Sequence, residues 1–368
     1  MHLLYKTNFM TTTYSDILDK LTKIRPLEYA KSRNFIDGAV TYLSPYISRG
    51  ILSTKQVYNS CVERGFKPYR IEKFIQELAW RDYWQRLWQE KDINLEIKQR
   101  QEMVSNYGIS KQIVDAKTGI SAIDQAIDIL YETGYMHNHL RMYVAALACN
   151  IANSHWKAPA QWMYYHLIDG DWGSNALSWQ WVCGANSRKK YIANQENINR
   201  YTRSHQRHTF LDTDYESLAQ LPTPNHLQDI HTSQWVTPLP QTPAIQLDQN
   251  IPLCVYTYYN LDPMWRKDEA CQRVLLLEPS VFKTYPIGQR PLDFMLSLAQ
   301  NIDEIQIYVG EFSELTEGFT NTIYFKEHPL NTHFNGIQDQ RDWLTSVQGY
   351  YPSFFAFWKR AKKELNIK

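Results

Sequence analysis

Gly134-Tyr135-Met136-His137-Asn138-His139-Leu140-Arg141-Met142 is followed further on by Asp169-Gly170-Asp171-Trp172-Gly173-Ser174-Asn175-Ala176-Leu177-Ser178-Trp179-Gln180-Trp181. These two runs decide how the chain reads. Arg141, Asp169, Asp171 and Asn175 are too polar for an interior unless they meet partners or a ligand. They nevertheless sit among aromatic and aliphatic residues, the mixture expected of a pocket lining. Residues 137–156 and 158–168 read as helices, the second with Pro159 in its first turn, where a missing N–H does no harm. The polar residues are therefore expected on helices and on the loop between them.

Working outward, the same helical grammar fills the first 200 residues. Ser15-Asp16 caps a helix carrying Ile17, Leu18, Leu21 and Ile24, which Pro26 ends. A turn-rich segment follows with Gly38, Thr41-Tyr42-Leu43-Ser44-Pro45-Tyr46 and Gly50. Ser53 caps the next helix. A long amphipathic helix is expected from Tyr69 to about Lys91, with Ile71, Phe74, Ile75, Leu78 and Leu87 as its apolar stripe. Glu77, Trp80, Arg81, Trp84 and Trp88 recur beside that stripe at three- and four-residue spacing, so they share a face. Residues 100–118 are polar and read as a connection, and helical periodicity returns at Ala122, Ile123, Ala126, Ile127 and Leu130.

The grammar changes after residue 205. Six of the 16 prolines lie from Pro222 to Pro252, the composition of an extended linker. Beyond it, Leu253-Cys254-Val255-Tyr256-Thr257-Tyr258, Val274-Leu275-Leu276-Leu277 and Ile305-Gln306-Ile307-Tyr308-Val309 are short and apolar, with a helical stretch Leu292 to Gln300 between two of them. That alternation points to a small α/β domain with a parallel sheet. It closes on an aromatic, then basic, helix from Phe354 to Lys363. The expected organisation is multidomain: a mostly α-helical domain over 1–205, a Pro-rich linker over 206–250, and a small α/β, Rossmann-like domain over 251–368.

A chain of 368 residues is long enough for two domains with their own cores. Residues 1–210 hold 27 lysines and arginines against 19 acidic residues, while the remainder is acidic in balance, which hints at a polyanionic partner for the first half. The five cysteines are far apart and lack a CxxC pair, which argues against a disulfide framework or a zinc ribbon and fits a reducing cytoplasm. No apolar run approaches the ~18–20 residues that span a bilayer, and the first residues lack the pattern of a secretory signal.

Several chemistries fit isolated parts of the pattern. Gly, Ser and Thr over 38–50 suit phosphate, because hydroxyls and N–H groups at turns bind anions. Arg81 and Arg141 suit a diphosphate or a carboxylate partner; buried ion pairs would equally explain them. Asp169 and Asp171 have the paired acids of a glycosidase without any accompanying sugar-binding pattern. His137 and His139, two apart, point to different faces of a helix, so no metal site is expected. A Gly-x-Ser-x-Gly elbow is absent.

Taken in order, four blocks resemble the helical FAD-binding domain of the DNA photolyase and cryptochrome family: Thr41 to Tyr46, Glu77-Leu78-Ala79-Trp80-Arg81-Asp82, Tyr135 to Met142, and Asp169-Gly170-Asp171 through Asn175 to Trp179-Gln180-Trp181. The resemblance implies FAD bound in a U shape. It assigns Thr41 and Ser44, helped by Arg81, to the diphosphate, with Tyr29 a looser match to a phosphate-contacting tyrosine. It pairs Arg141 with Asp169 beside the isoalloxazine, places Asp171 at the polar edge of the ring, faces Asn175 to flavin N5, and counts Asn138 among the cofactor contacts. Glu77, Trp80, Asn138, Met142 and Trp181 resemble the set that holds a cyclobutane pyrimidine dimer, and Asn138 stands where enzymes of (6-4) lesions carry histidine. Two flat aromatic walls with a carboxyl and an amide make physical sense for a flipped dinucleotide.

The resemblance also has departures. Trp179 and Trp156 fit the first two members of the family's three-tryptophan relay, but Met103 to Tyr107 offers no third, leaving Tyr107 or Trp172 as substitutes. The four cysteines of the family's iron–sulfur branch are missing, although Arg188-Lys189-Lys190-Tyr191-Ile192-Ala193-Asn194 to Asn199-Arg200-Tyr201 resembles that branch. Family members usually place the α/β antenna domain first. Here it comes last, so a rearranged antenna-like domain is expected, with any second chromophore left open. The expectation is a monomeric, cytoplasmic, deoxyribodipyrimidine photolyase-type lyase. Its reduced FAD and catalytic residues Glu77, Asn175, Trp179 and Trp156 would act on DNA containing pyrimidine dimers, with no metal and no membrane. The alternatives are a cryptochrome-like flavin photoreceptor and a non-repairing nucleic-acid-binding relative.

Overall fold

The structure, a computed structural model, describes residues 10–232 and 234–367. In chain order, the elements that matter are helices α1 (Glu72–Glu90), α2 (Ser121–Thr133), α3 (Asn138–Ala146), α4 (Lys157–His166), α5 (Trp172–Val182) and α6 (Gln195–Thr202), then β1 (Leu253–Tyr256), β2 (Gln272–Leu277), α7 (Gln289–Ala299), β3 (Gln306–Val309), β4 (Ile323–Lys326), β5 (Ile337–Asp339) and α8 (Phe354–Glu364). The chain divides into two compact units that interleave along the sequence. One gathers Leu27–Val40 and Glu90–Trp235; the other gathers the segment ending at Pro26, Thr41–Gln89 and the chain from Val236 on.

The first unit is helical. In α2 the residues Ala122, Ile123, Ala126, Ile127, Ile129 and Leu130 are buried, the face that helical periodicity predicts. Gly134 stops the helix with φ 73°, a left-handed position that glycine adopts without a Cβ clash, and its N–H reaches the Leu130 carbonyl. Helix α3 starts at a cap where His137 accepts the His139 N–H, then runs into a single π-helical turn over Leu147–Ile151. Such turns widen a helix locally and often lie near functional sites. Helix α5 packs on both α3 and α4, and α2 packs against α3 and α6. The stretch 100–118 is more ordered than its polarity implies. Ile109–Ser110 forms a short antiparallel ladder with Ile230–His231, so the segment is pinned from more than a hundred residues away.

The second unit carries the parallel sheet. Its order is β3-β2-β1-β4-β5, and every neighbouring pair is parallel. Leu253, Val255, Val274, Leu276 and Phe325 point to one face, where Phe312, Leu315 and Phe334 join them in a core. Cys254, Tyr256 and Leu275 fill the opposite face and are also buried. Strands covered on both sides must be apolar at every position, which is why these runs did not alternate. Ahead of the sheet lies α1, preceded by a 3-10 turn over Pro68–Ile71. No helix among the described residues is long and apolar enough to cross a membrane.

Candidate functional site

In the first unit the two diagnostic runs become the start of α3 and the start of α5. Arg141 on α3 donates from Nη2 to both carboxylate oxygens of Asp169, each at 2.9 Å, and from Nε to the Met136 carbonyl at 2.7 Å. The Asp169 side chain is 3% exposed and that of Arg141 20%. The carboxylate is therefore neutralised inside the fold, while the guanidinium keeps Nη1 without a partner among the described residues. Asp171 is the N-cap of α5 and accepts from the Gly173 N–H and the Ser174 hydroxyl. Its first duty is local: the cap satisfies a helix-start donor that would otherwise be stranded.

Asn175, one turn into α5, donates from Nδ2 to the Ala160 carbonyl at 2.8 Å. That bond fixes the amide and leaves its oxygen and second N–H for another partner. Asn138 is exposed and Met142 half-buried on α3. At the far end of α5, Trp181 is 38% exposed with Tyr191 beside it at 5.9 Å. Trp179 and Trp156 are buried, and the ring contacts of Trp156 run to Trp172 at 6.4 Å and to His155 at 5.8 Å. The donor set of this unit (a half-spent guanidinium, a half-spent amide and a compensated carboxylate) fits a polar heterocycle such as an isoalloxazine.

The two histidines are structural. His139 bonds the Asn34 carbonyl at 2.8 Å and the Tyr191 hydroxyl at 3.3 Å. Burial, then the neighbouring His139 and Arg141, push His137 down to about 4. No cluster of potential metal ligands occurs among the described residues.

The second unit holds the other predicted residues. Thr41 accepts the Leu43 N–H with its hydroxyl, and Ser44 opens a short helix over Ser44–Ser48. Arg81 donates to the Ser48 hydroxyl at 2.6 Å. Glu77 is half-buried with Lys73 at 3.8 Å. Trp80 differs from an open wall: the ring of Phe354 on α8 is stacked on it at 3.7 Å, and Trp84 lies at 4.8 Å. Sequence spacing along α1 put Trp80 on a face but carried no information about a partner so distant in the chain. Asp82, next to Arg81, was missed as well. It is fully buried, accepting from Thr54 at 2.9 Å and from the Leu344 N–H at 2.7 Å, and burial pushes it up to about 6.

Residues 74–249 match the family model described as the FAD binding domain of DNA photolyase. Curated relatives include the deoxyribodipyrimidine photo-lyase of Vibrio cholerae, 30% identical over 172 residues that make up 43% of this chain and 36% of the relative. That of Thermus thermophilus is 30% identical over 165 residues, 42% of this chain and 38% of the relative. The matched part thus spans little more than a third of those proteins. Among solved structures, a Synechocystis cryptochrome is 24% identical with a TM-score of 0.46, covering 51% of this chain and 43% of the other. A bacterial class III photolyase of Agrobacterium tumefaciens is 22% identical with a TM-score of 0.42, covering 59% and 52%.

Proposed function

The chain belongs to the photolyase/cryptochrome family through its FAD-binding domain, and from that premise we propose that it is a light-driven enzyme that splits cyclobutane pyrimidine dimers in DNA. The observation that carries this reading is helix α5. Its first turns hold Asp171 and Asn175, and its last turn presents Trp181 to solvent. One rigid element thus offers polar contacts for a flavin and an aromatic wall for a base.

FAD supplies the light absorption and the one-electron chemistry. The chain's own residues bind and orient. In the first unit, Arg141 and Asp169 grip the ring system as a preformed pair, Asn175 presents its fixed amide, and Asn138, Met142 and Trp181 receive the lesion. In the second unit, Thr41, Ser44 and Arg81 are the proposed phosphate contacts, with Glu77 a lesion contact. Stacking on an exposed ring contributes roughly 1–3 kcal/mol per base. We assign the helical region 1–205 to this activity and the Rossmann-like region 251–368, after the Pro-rich 206–250, to a rearranged antenna-like domain.

Light-dependent loss of dimers from an irradiated oligonucleotide, with fully reduced flavin-loaded protein, tests the reading; no loss in light would overturn it. The stack of Phe354 on Trp80 favours a second reading, a cryptochrome-like photoreceptor, because one proposed lesion wall is already covered. That reading predicts a light-induced change in α8 without repair.

A further inference from the structure

In the second unit, helix α8 and the turn that leads into α1 lie side by side. Phe354 stacks on Trp80 in the middle of α1, while Trp358 Nε1 donates to Glu72 at 3.3 Å and Lys362 lies 3.6 Å from the same carboxylate. That register runs the two helices antiparallel and sets the second half of α8 beside the start of α1. Phe354, Phe357, Trp358 and Ala361 are the buried side of α8. Its other side carries Phe355, Lys359 and Lys363 at four-residue intervals, with Arg360 next to them, all exposed. The 3-10 turn Pro68–Ile71 precedes Glu72 directly; it buries Ile71 and leaves Lys67, Tyr69 and Arg70 in solvent. The side chains of Lys67, Arg70, Lys359, Arg360 and Lys363 make no ion pair or hydrogen bond among the described residues. The acids of the same two helices near this face are engaged: Glu72 as above, Glu77 with Lys73 at 3.8 Å, and Glu364 with the Ser346 N–H and hydroxyl. Five uncompensated cations therefore frame two rings that stand in water, Tyr69 at 57% exposure and Phe355 at 67%.

We propose that this face of the second unit binds a single strand of nucleic acid, with Lys67, Arg70, Lys359, Arg360 and Lys363 on the phosphates and Tyr69 and Phe355 against unpaired bases. Cations without protein partners pay no exchange cost when they meet a polyanion, and each phosphate they neutralise releases counterions. A flat ring in solvent stacks on any base, which makes the contact tolerant of sequence. A duplex hides the faces of its bases in its own stack, so exposed rings between cations select a single strand. A lipid surface fits the face poorly. The apolar side of α8 is spent on Trp80 and Tyr83, and only Phe355 is left to enter a bilayer, where a surface-bound helix needs a whole apolar face. The family match over residues 74–249 contains neither the turn nor α8. The inference also stands apart from the repair reading: it needs no flavin, light or lesion, and the proposed lesion contacts Asn138, Met142 and Trp181 all belong to the first unit.

The test is fluorescence anisotropy of the full chain in the dark, over a salt series, with an undamaged labelled oligothymidine and with an undamaged duplex of the same length. Wild type should bind the single strand more tightly than the duplex. Phe355→Ala should weaken single-strand binding by about tenfold, and Phe355→Tyr, which keeps a ring, should restore it. Lys359→Ala and Lys363→Ala should each lower the log–log salt slope for the single strand by about 0.7. Lys283→Ala, at an exposed lysine elsewhere in the unit, should change neither quantity. All five positions are in solvent, and circular dichroism should show every variant folded. Wild-type affinity in Phe355→Ala together with wild-type slopes in Lys359→Ala and Lys363→Ala overturns the proposal, as does tighter binding of the duplex by wild type. Binding to phosphatidylserine vesicles that depends on Phe355, with oligothymidine binding unchanged by the same substitution, would assign the face to a membrane and overturn it too. The repair assay has no bearing on these outcomes: dimers lost in light leave the repair reading standing if this face fails, and the face stands on its own losses if no repair is seen.

Discussion

The ring of Phe354 lies flat on that of Trp80, with centroids 3.7 Å apart and planes 10° from parallel. Tyr83 meets both rings, and Phe354 continues the stack to Trp358. Trp80 is therefore one member of an aromatic core, not a free platform. Removing an aromatic side chain from such a cluster costs about 3–5 kcal/mol. Trp80→Ala and Phe354→Ala should each lower the melting temperature, read by circular dichroism. Trp181→Ala, at an exposed position, should stay within about 0.5 kcal/mol of wild type. Only Trp181→Ala can then report dimer affinity free of a folding defect.

Arg141 and Asp169 form a pair in which each partner needs the other. Deleting one leaves a charge in a low-dielectric site, a loss of about 3–5 kcal/mol for a fully buried pair and less here because Arg141 keeps some exposure. Arg141→Ala and Asp169→Ala should both purify colourless, as measured by the flavin-to-protein absorbance ratio. Full flavin in both variants would contradict the assigned role of the pair.

Acid should weaken the fold through buried histidines. Burial holds His166 at about 4, and burial with neighbouring charge holds His137 at about 4. The ordinary value is about 6.5. Between those limits the unfolded chain binds more protons than the folded one, so stability rises with pH across the window. The contribution is fully present above pH 6.5 and is lost as pH falls toward 4, at about 3 kcal/mol per group. Urea unfolding midpoints at a series of pH values should show this fall, and His166→Phe should reduce it.

Asp82 works in the opposite direction. Burial lifts it to about 6 against the hydrogen bonds from Leu344 and Thr54. Between its ordinary value and about 6, the folded state binds more protons than the unfolded one. Its contribution to stability is therefore present at acid pH and lost as pH rises through 6. In the wild type it offsets part of the histidine effect. Asp82→Asn removes the offset, so the acid fall between pH 6 and 4 should become steeper.

Much of this organisation was legible in the residues. Leu253 to Tyr256 and Val274 to Leu277 read as parallel strands because burial on both faces demands unbroken apolar runs. The proline-rich stretch from Pro222 to Pro252 contains the point, after Trp235, where the chain leaves one compact unit for the other. The polar set Arg141, Asp169, Asp171 and Asn175 could be found because charges in an aromatic setting need a reason. Pairings over long separations could not be found this way. Phe354 meets Trp80, Leu344 meets Asp82, and Ile230 meets Ser110 only because the chain returns to itself. Local spacing holds no trace of such returns. Asp171 was legible as a polar residue in an aromatic run, but the helix it caps and its bonds to Gly173 and Ser174 emerge only with the backbone in place.

The basic residues that follow α5 allow a graded prediction about nucleic acid. Arg188, Lys189, Arg200, Arg203 and Arg207 are exposed, and Lys190 is half-buried with its ammonium on the Glu102 carbonyl. Arg203 is already engaged, with Asp37 at 3.4 Å and its guanidinium 4.3 Å from the Phe35 ring. A cation that neutralises a phosphate releases condensed counterions, so each such contact steepens the fall of affinity with salt by about one unit of log–log slope. Arg188→Ala and Lys189→Ala should each reduce the slope by about that amount. Arg203→Ala should change it less, because Asp37 already competes for the charge. Fluorescence anisotropy with a dimer-containing oligonucleotide across a salt series measures all three. Equal slopes in wild type and in Arg188→Ala and Lys189→Ala would remove this segment from the proposed DNA-binding surface, whatever the outcome of the repair assay.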